Sequence, residues 1–351
     1  MSAVVVQLDP VETKFFTAKN FRLRDGATLP NLTIAFEHYG RLAPNRRNAV
    51  LVTHGFTNHH HAAGRRADGS VGWWDGLIGP GKAIDTDRFF VVSSNMLGSS
   101  FGSTNPSSID PATGQPYGPD FPEITLPDIL AAQKALLESL HVEHLIAVAG
   151  RSYGGFQAFA WGVTYPEFMN GLVIANSAPK RTGGDKAVHD LIARFERDPN
   201  WNGGRYYDTG GIVSTLAALR LETLKRYGFD TVLAERYPDP TVRAALLEKQ
   251  AQAWAEKFDA NGMIALLRAA VRFDAEKDFH KIHAKVLYTL TTTDVLYPPT
   301  IARDVMAKLE ASGVDATYFL LESPYGHDAT TPDAAKFAPV LRSFMERIST
   351  S

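Results

Sequence analysis

The stretch "LIAVAGRSYGGFQAFAWG", residues 145–162, limits this chain to one kind of local structure more tightly than any other segment. An apolar run, Leu145 to Val148, reaches Gly150-Arg151-Ser152-Tyr153-Gly154, and a helical-looking segment from Phe156 to Trp161 follows at once. This is G-x-S-x-G between a strand and a helix. A chain that bends so sharply holds the side chain at the bend clear of its neighbours, and glycines on both flanks remove the Cβ atoms that would clash. The hydroxyl of Ser152 is then presented as a nucleophile must be. The plain alternative is a surface serine in a glycine-rich turn, and only partners elsewhere in the chain separate the two.

The surrounding sequence supplies a scaffold for such a bend. "FRLRDGATLPNLTIAFEHYG" predicts two antiparallel strands around a turn at Asp25-Gly26. "AVLVTHG", "RFFVVSSN", "HLIAVAG", "NGLVIANSA", "KVLYTLTTTD" and "ATYFLLESP" are short apolar runs that read as strands, while "LPDILAAQKALLESLH" has helical periodicity. Alternating strands and helices predict a mostly parallel sheet covered on both faces. From about Pro179 to Ile282 the pattern changes. There "GIVSTLAALRLETLKRYG", "PTVRAALLEKQAQAWAEKFDA" and "GMIALLRAAVRF" predict amphipathic helices with no strong strand between them. The expected organisation is an α/β core of residues 1–178 and 283–351, with a helical lid of residues 179–282 over the mouth of the sheet.

A serine nucleophile needs a base to take its proton and an acid to orient that base. On an α/β-hydrolase fold these follow in the order Ser, Asp or Glu, His, on loops past the carboxyl ends of later strands. "KVLYTL" runs into "TTTDVLYPP", which puts Asp294 just past a strand end, and "ATYFLLE" runs into "SPYGHDA", which does the same for His327. Asp328 adjoins the base and Asp315 precedes its strand, so both are less well placed. The expected triad is Ser152, Asp294 and His327. The expected oxyanion hole uses the backbone N–H of Tyr153 and, from the early loop "THGFTNHHH", that of Phe56. His59, His60 and His61 point in diverging directions and no acidic cluster accompanies them. They read as a solvated or pocket-lining loop rather than a metal site.

Composition removes other chemistries. The chain has no cysteine, which excludes disulfides, thiolate metal sites and a cysteine nucleophile. A net charge of −2 gives no basic field for nucleic acid. No run approaches the ~18 apolar residues that a membrane span needs. The opening "MSAVVVQLDPVETKFF" lacks the basic start and long apolar core of a secretion signal. The expectation is a cytoplasmic protein acting on a small molecule without cofactor or metal.

With these residues in view, the chain resembles the homoserine O-acetyltransferase family of α/β-hydrolase-fold enzymes over most of its length. The likeness lies in the long segment from "GWWDGLIGPG" to "GPDFPEIT" and in "ERDPNWNGGRYY", "EKFDANG", "TTTDVLYPP" and "YGHDA". It implies that fold, the same triad at Ser152, Asp294 and His327, and a helical lid that commonly pairs two subunits, hence a homodimer. The departures bear on function. The family's Gly-Ser-Met-Gly-Gly is here Arg151-Ser152-Tyr153-Gly154-Gly155, and its His-Ala-Leu-Thr-Gly is His54-Gly55-Phe56-Thr57-Asn58. The family's Ala-Arg-Met, whose arginine is thought to hold the homoserine carboxylate, falls at Thr215-Leu216-Ala217. Its Ala-Asn-Ser-Tyr-Leu-Tyr becomes Ala260-Asn261-Gly262-Met263-Ile264-Ala265, losing a tyrosine near the active site.

A hydrogen bond to a charged group is worth about 1.5–3 kcal/mol, so losing that arginine predicts rejection of homoserine. Arg151, Arg205 and Arg220 are the residues available to take over. The expected activity is therefore a serine carboxylester hydrolase. It would cleave small, largely uncharged esters, acetates by resemblance, through an acyl-enzyme. The alternative is a homoserine O-acetyltransferase or related acyltransferase using acetyl-CoA, since the first half-reaction is the same. A non-catalytic binding protein on the same scaffold is a third reading.

Overall fold

The computed structural model describes residue 8 and residues 10–350. The first seven residues, part of the opening read above for a secretion signal, lie outside the described residues. The expected hairpin is β1 (Lys14–Arg22) and β2 (Thr28–Tyr39), paired antiparallel. Its turn works because Gly26 takes φ +94°, where a side chain would be strained, and because the Asp25 carboxylate accepts the Ala27 N–H at 2.9 Å. Strands β3 (Ala49–Thr53), β6 (Phe90–Ser94), β7 (Leu145–Arg151), β8 (Met169–Ala175), β9 (Lys285–Thr291) and β10 (Ala316–Leu321) complete one sheet of eight. Its order is β1-β2-β6-β3-β7-β8-β9-β10, parallel from β6 onward. β4 (Ile78–Gly79) and β5 (Ile84–Asp85) form a separate short ladder.

Both faces of the sheet are buried at its central strands, which is why β3, β6, β7, β8 and β9 read as apolar runs, whereas the edge strands β1 and β10 are partly exposed. In β3, Ala49 and Leu51 enter one core cluster while Val50 and Val52 enter the other. Helices α1 (Leu126–Ser139), α2 (Tyr153–Thr164) and, later, α8 (Ala302–Ala311) cover the first face. α9 (Ala334–Ser349) covers the second, together with Trp73 and Trp74. Thr125 and Asp128 close a capping box at the start of α1, and Asp128 also accepts the Arg24 N–H at 2.7 Å, tying the hairpin to the helix.

Between β8 and β9 the chain is helical: α3 (Gly184–Phe195), α4 (Val213–Arg226), α5 (Phe229–Ala234), α6 (Pro240–Ala255) and α7 (Ala260–Val271). α4, α6 and α7 answer to the three periodic segments, and α3 and α5 are additional. The segment has its own apolar cluster, with Phe195, Trp201, Leu216, Trp254 and Met263. It is pinned to the core through Asp259, which caps α7 by accepting the Gly262 N–H at 2.7 Å and donates its own N–H to Ser100 Oγ at 2.9 Å. Tyr206 and Tyr207 both donate to the Asp259 carboxylate, so "NGGRYY" and "EKFDANG" are two halves of one buried anchor. No helix among the described residues is long and apolar enough to cross a membrane.

Candidate active site

β7 delivers the chain to Ser152 and α2 starts at the next residue. Ser152 itself adopts φ +56° and ψ −122°, a conformation side chains rarely take. The bend is possible because its neighbours lack side chains. A Cβ on Gly154 would run into the Thr53 carbonyl, and one on Gly150 would strike the Thr53 hydroxyl and the Gly154 backbone. β3 therefore passes directly behind the bend, bringing Phe56 to the same place as Tyr153. Their rings stack with centroids 5.7 Å apart. Neither backbone N–H has a backbone acceptor among the described residues, and the first N–H groups of a helix have no intrahelical partner.

His327 and Asp294 stand on loops past β10 and β9, as the sequence order requires. His327 Nδ1 and Asp294 Oδ2 are 2.8 Å apart. The other carboxylate oxygen accepts the N–H groups of Leu296 at 2.8 Å and Tyr297 at 3.2 Å, which fixes the plane of the acid. Both side chains are deeply buried, so water screens the pair little. The imidazole packs between Tyr227, at 4.7 Å, and Tyr297, at 5.7 Å. Its Nε2 is buried and makes no hydrogen bond among the described residues, and the ring shares a cavity with Ser152.

Two cavities meet at Ser152. The larger, about 450 Å³, takes in Phe56, Tyr153, Phe156, Met263 and Tyr297, together with Arg226 and with Arg181, whose buried Nε has no hydrogen-bond partner among the described residues. The smaller, about 240 Å³, takes in His327 and three charged side chains: Arg151, Asp328 and Arg220. Arg151 and Asp328 are ion-paired, and Arg151 also donates to Thr331 Oγ1 at 3.2 Å. Arg220 donates to Thr57 Oγ1 at 2.7 Å and lies 5.3 Å from the Trp254 ring, but its buried Nε has no partner. No acid among the described residues pairs with it. Burial lowers its pKa to about 10, still well above neutrality.

A model of the alpha/beta hydrolase fold matches residues 48–330. The chain belongs to the alpha/beta hydrolase family. Within that family it is homologous to homoserine O-acyltransferases. A homoserine O-acetyltransferase of Methanosalsum zhilinae is 38% identical over 97% of this chain and 74% of its own length. A homoserine O-succinyltransferase of Methylibium petroleiphilum is 38% identical over 93% of this chain and 91% of its own. Among solved structures, esterase E22 superposes with a TM-score of 0.86 at 30% identity, covering 95% of this chain and 100% of that one.

On this hydrolase scaffold, some of the residues singled out in the sequence lie together and others do not. Ser152, His327, Phe56 and Tyr153 line common cavities, and Asp294 stands behind His327. Asp328 is engaged by Arg151, and Asp315 lies 3.6 Å from Arg347 at the surface, so neither serves His327. The histidine run is not a solvated or pocket-lining loop. His60 and His61 are buried on a core network, because Glu37, wholly buried on β2, draws cationic and N–H groups to itself. It accepts from Arg66 at 2.6 Å and Tyr39 OH at 2.6 Å, and lies 2.9 Å from His61 Nδ1. Burial first, then Arg66, lowers the pKa of His59 to about 3 and of His60 to about 2. Among the described residues no cluster of three or more His, Asp or Glu side chains could hold a metal.

The arginine question also changes. Leu216 is packed into the apolar cluster of the helical segment and lines neither cavity. Arg205 pairs with Asp120 at the surface, at 2.6 Å. Arg220, one helical turn past Leu216, stands on the same face of α4 and reaches the cavity beside His327. The pocket expected to be apolar therefore carries a cation. The i, i+4 spacing was the one sequence signal for it.

Proposed function

We propose that this protein is a serine acyltransferase that takes an acyl group from a thioester or ester donor onto Ser152 and passes it to the hydroxyl of a small acceptor. Ser152 Oγ attacks the donor carbonyl while His327 Nε2 takes its proton. Asp294 holds the Nδ1–H and steadies the imidazolium. The N–H groups of Phe56 and Tyr153 receive the oxyanion. The leaving group departs with the proton from His327. The acceptor hydroxyl then gives its proton to His327 and attacks the acyl carbonyl, and Ser152 leaves and regains a proton.

Arg220 is the observation that carries transfer over hydrolysis. Water needs no cation, whereas a buried guanidinium beside His327 with no ion pair of its own is half of a recognition pair. Burying a charge without a direct partner is costly, and an anionic acceptor would offset that cost. The names of the relatives, homoserine O-acetyltransferase and O-succinyltransferase, agree with this reading. Hydrolysis is the second reading, favoured by the likeness to esterase E22 and by Leu216 at the place of the family's arginine.

The test supplies acetyl-CoA with a panel of short hydroxyl acceptors, homoserine among them. Free CoA and O-acetyl product are followed, and 4-nitrophenyl acetate is run in parallel. CoA release in step with an O-acetyl product supports transfer. Release that no acceptor accelerates, with acetate as the sole product, would make the protein an esterase.

A further inference from the structure

The charges around the smaller cavity decide what kind of alcohol it takes. Its lining holds one carboxylate, Asp328, and two guanidinium groups, Arg151 and Arg220. Asp328 is committed to Arg151: their side chains are 11% and 12% exposed, so the pair is held out of water. Arg151 is braced further by Thr331 and by the Trp73 ring, 5.3 Å from its guanidinium. The remaining walls, such as Phe56, Tyr227, Phe229 and Gln250, carry no charge. What is left is one cation with no ion pair of its own, Arg220, which feels Asp328 only beyond ion-pair distance and has Arg151 as a like charge beside it.

An amino-acid acceptor brings a carboxylate and an ammonium. Arg220 matches the first. The second finds no free acid, and meets two guanidinium groups instead. Like charges in a low-dielectric pocket repel, and an ammonium without a partner is not tolerated there. We propose that the alcohol handled by this site carries a carboxylate and no ammonium: a short hydroxycarboxylate, or its ester, read by Arg220 while the Arg151–Asp328 pair closes the cavity to an amino group. This rests on the preceding reading only in that the alcohol occupies the cavity beside His327. That follows from proton transfer, since His327 must reach the alcohol oxygen whether it leaves or attacks. Arg151 is a specificity residue here by occupation of Asp328, and Arg220 by direct contact.

The experiment compares three acetate esters as substrates: 4-acetoxybutanoate, O-acetylhomoserine, which differs by one ammonium group, and neutral butyl acetate. Cleavage of each is measured as kcat/KM. The wild-type protein is expected to prefer 4-acetoxybutanoate to O-acetylhomoserine by about tenfold or more. Arg220→Leu should cut the ratio of 4-acetoxybutanoate to butyl acetate by about tenfold or more, with Arg220→Lys in between. Arg151→Met should release Asp328 and raise the ratio of O-acetylhomoserine to 4-acetoxybutanoate by about tenfold, whereas Arg151→Lys should leave it near the wild-type value. Wild-type preference for O-acetylhomoserine overturns the proposal, as does a ratio that neither Arg220→Leu nor Arg151→Met moves. Because ester cleavage reads the alcohol pocket directly, these ratios stand even if every acyl group goes to water, which would defeat only the transferase reading.

Discussion

Replacing Asp294 by asparagine keeps the shape of the acid and reverses one hydrogen bond. The oxygen that accepts the Leu296 and Tyr297 N–H groups at 2.8 and 3.2 Å has every reason to stay where it is. The new amide nitrogen must then face His327 Nδ1, now 2.8 Å from a carboxylate oxygen. Two N–H groups cannot share that contact, so the imidazole proton moves to Nε2, and the nitrogen that should accept from Ser152 becomes a donor. A wrong tautomer of this kind costs ~10⁴ in kcat in a comparable triad. At about 1.4 kcal/mol per factor of ten, that is ~5.5 kcal/mol of barrier. The assay is kcat on 4-nitrophenyl acetate, with thermal unfolding to establish that the variant is folded. A folded Asp294→Asn protein within tenfold of wild type would refute the assignment. So would an Asp328→Asn variant that loses more.

Other outcomes are expected from the same structure. Ser152→Ala should lose activity by ~10⁴ or more while remaining folded, because the side chain contributes chemistry rather than packing; titration with a covalent serine probe and a melting curve check both halves. Stability should fall as pH drops from about 6.5 toward 4. His54, His59 and His60 are held neutral, with pKa values lowered by burial to about 4, 3 and 2, so below the unfolded value each binds a proton only when unfolded. Each then contributes a loss of about 1.4 kcal/mol per pH unit, readable by urea unfolding, and a flat profile over that range would contradict the burial of the run. Finally, the chain is expected to dimerise through its helical segment, and light scattering at micromolar concentration that returns a monomer would remove that expectation.

Much of this architecture is legible in the sequence because local rules decide it. Both-faced burial turns the central strands into continuous apolar runs, and the loops after β7, β9 and β10 carry the glycine or aspartate that marks them, which is how Ser152, Asp294 and His327 can be ordered before any coordinates. What escapes is what depends on partners far along the chain. Arg151 looks like a surface residue until Asp328, 177 residues away, is brought against it. The histidine run looks polar until Glu37, 24 residues earlier, is seen to be buried beneath it. Leu216 aligns with the family's arginine in sequence, yet the helix turns that position into its own apolar cluster and presents Arg220 instead. α9 carries Pro339 within its span, a residue that normally breaks a helical pattern, and its burial against the sheet overrides that signal.

α4 lies between the two chambers. Leu219, Thr223 and Arg226 look into the larger one, Arg220 into the smaller, and Tyr227, the residue that ends the helix, borders both. One helix is thus a party wall, and its neighbours share every alteration to it. A slip of a single residue would turn α4 by about 100° and carry Arg220 out of one room toward the other. A lineage reshaping the larger chamber through this helix would therefore disturb the smaller one, and with it the choice of alcohol, in the same step. Independent tuning has to come from the far walls: Met263 and Tyr297 on one side, Arg151 and Asp328 on the other.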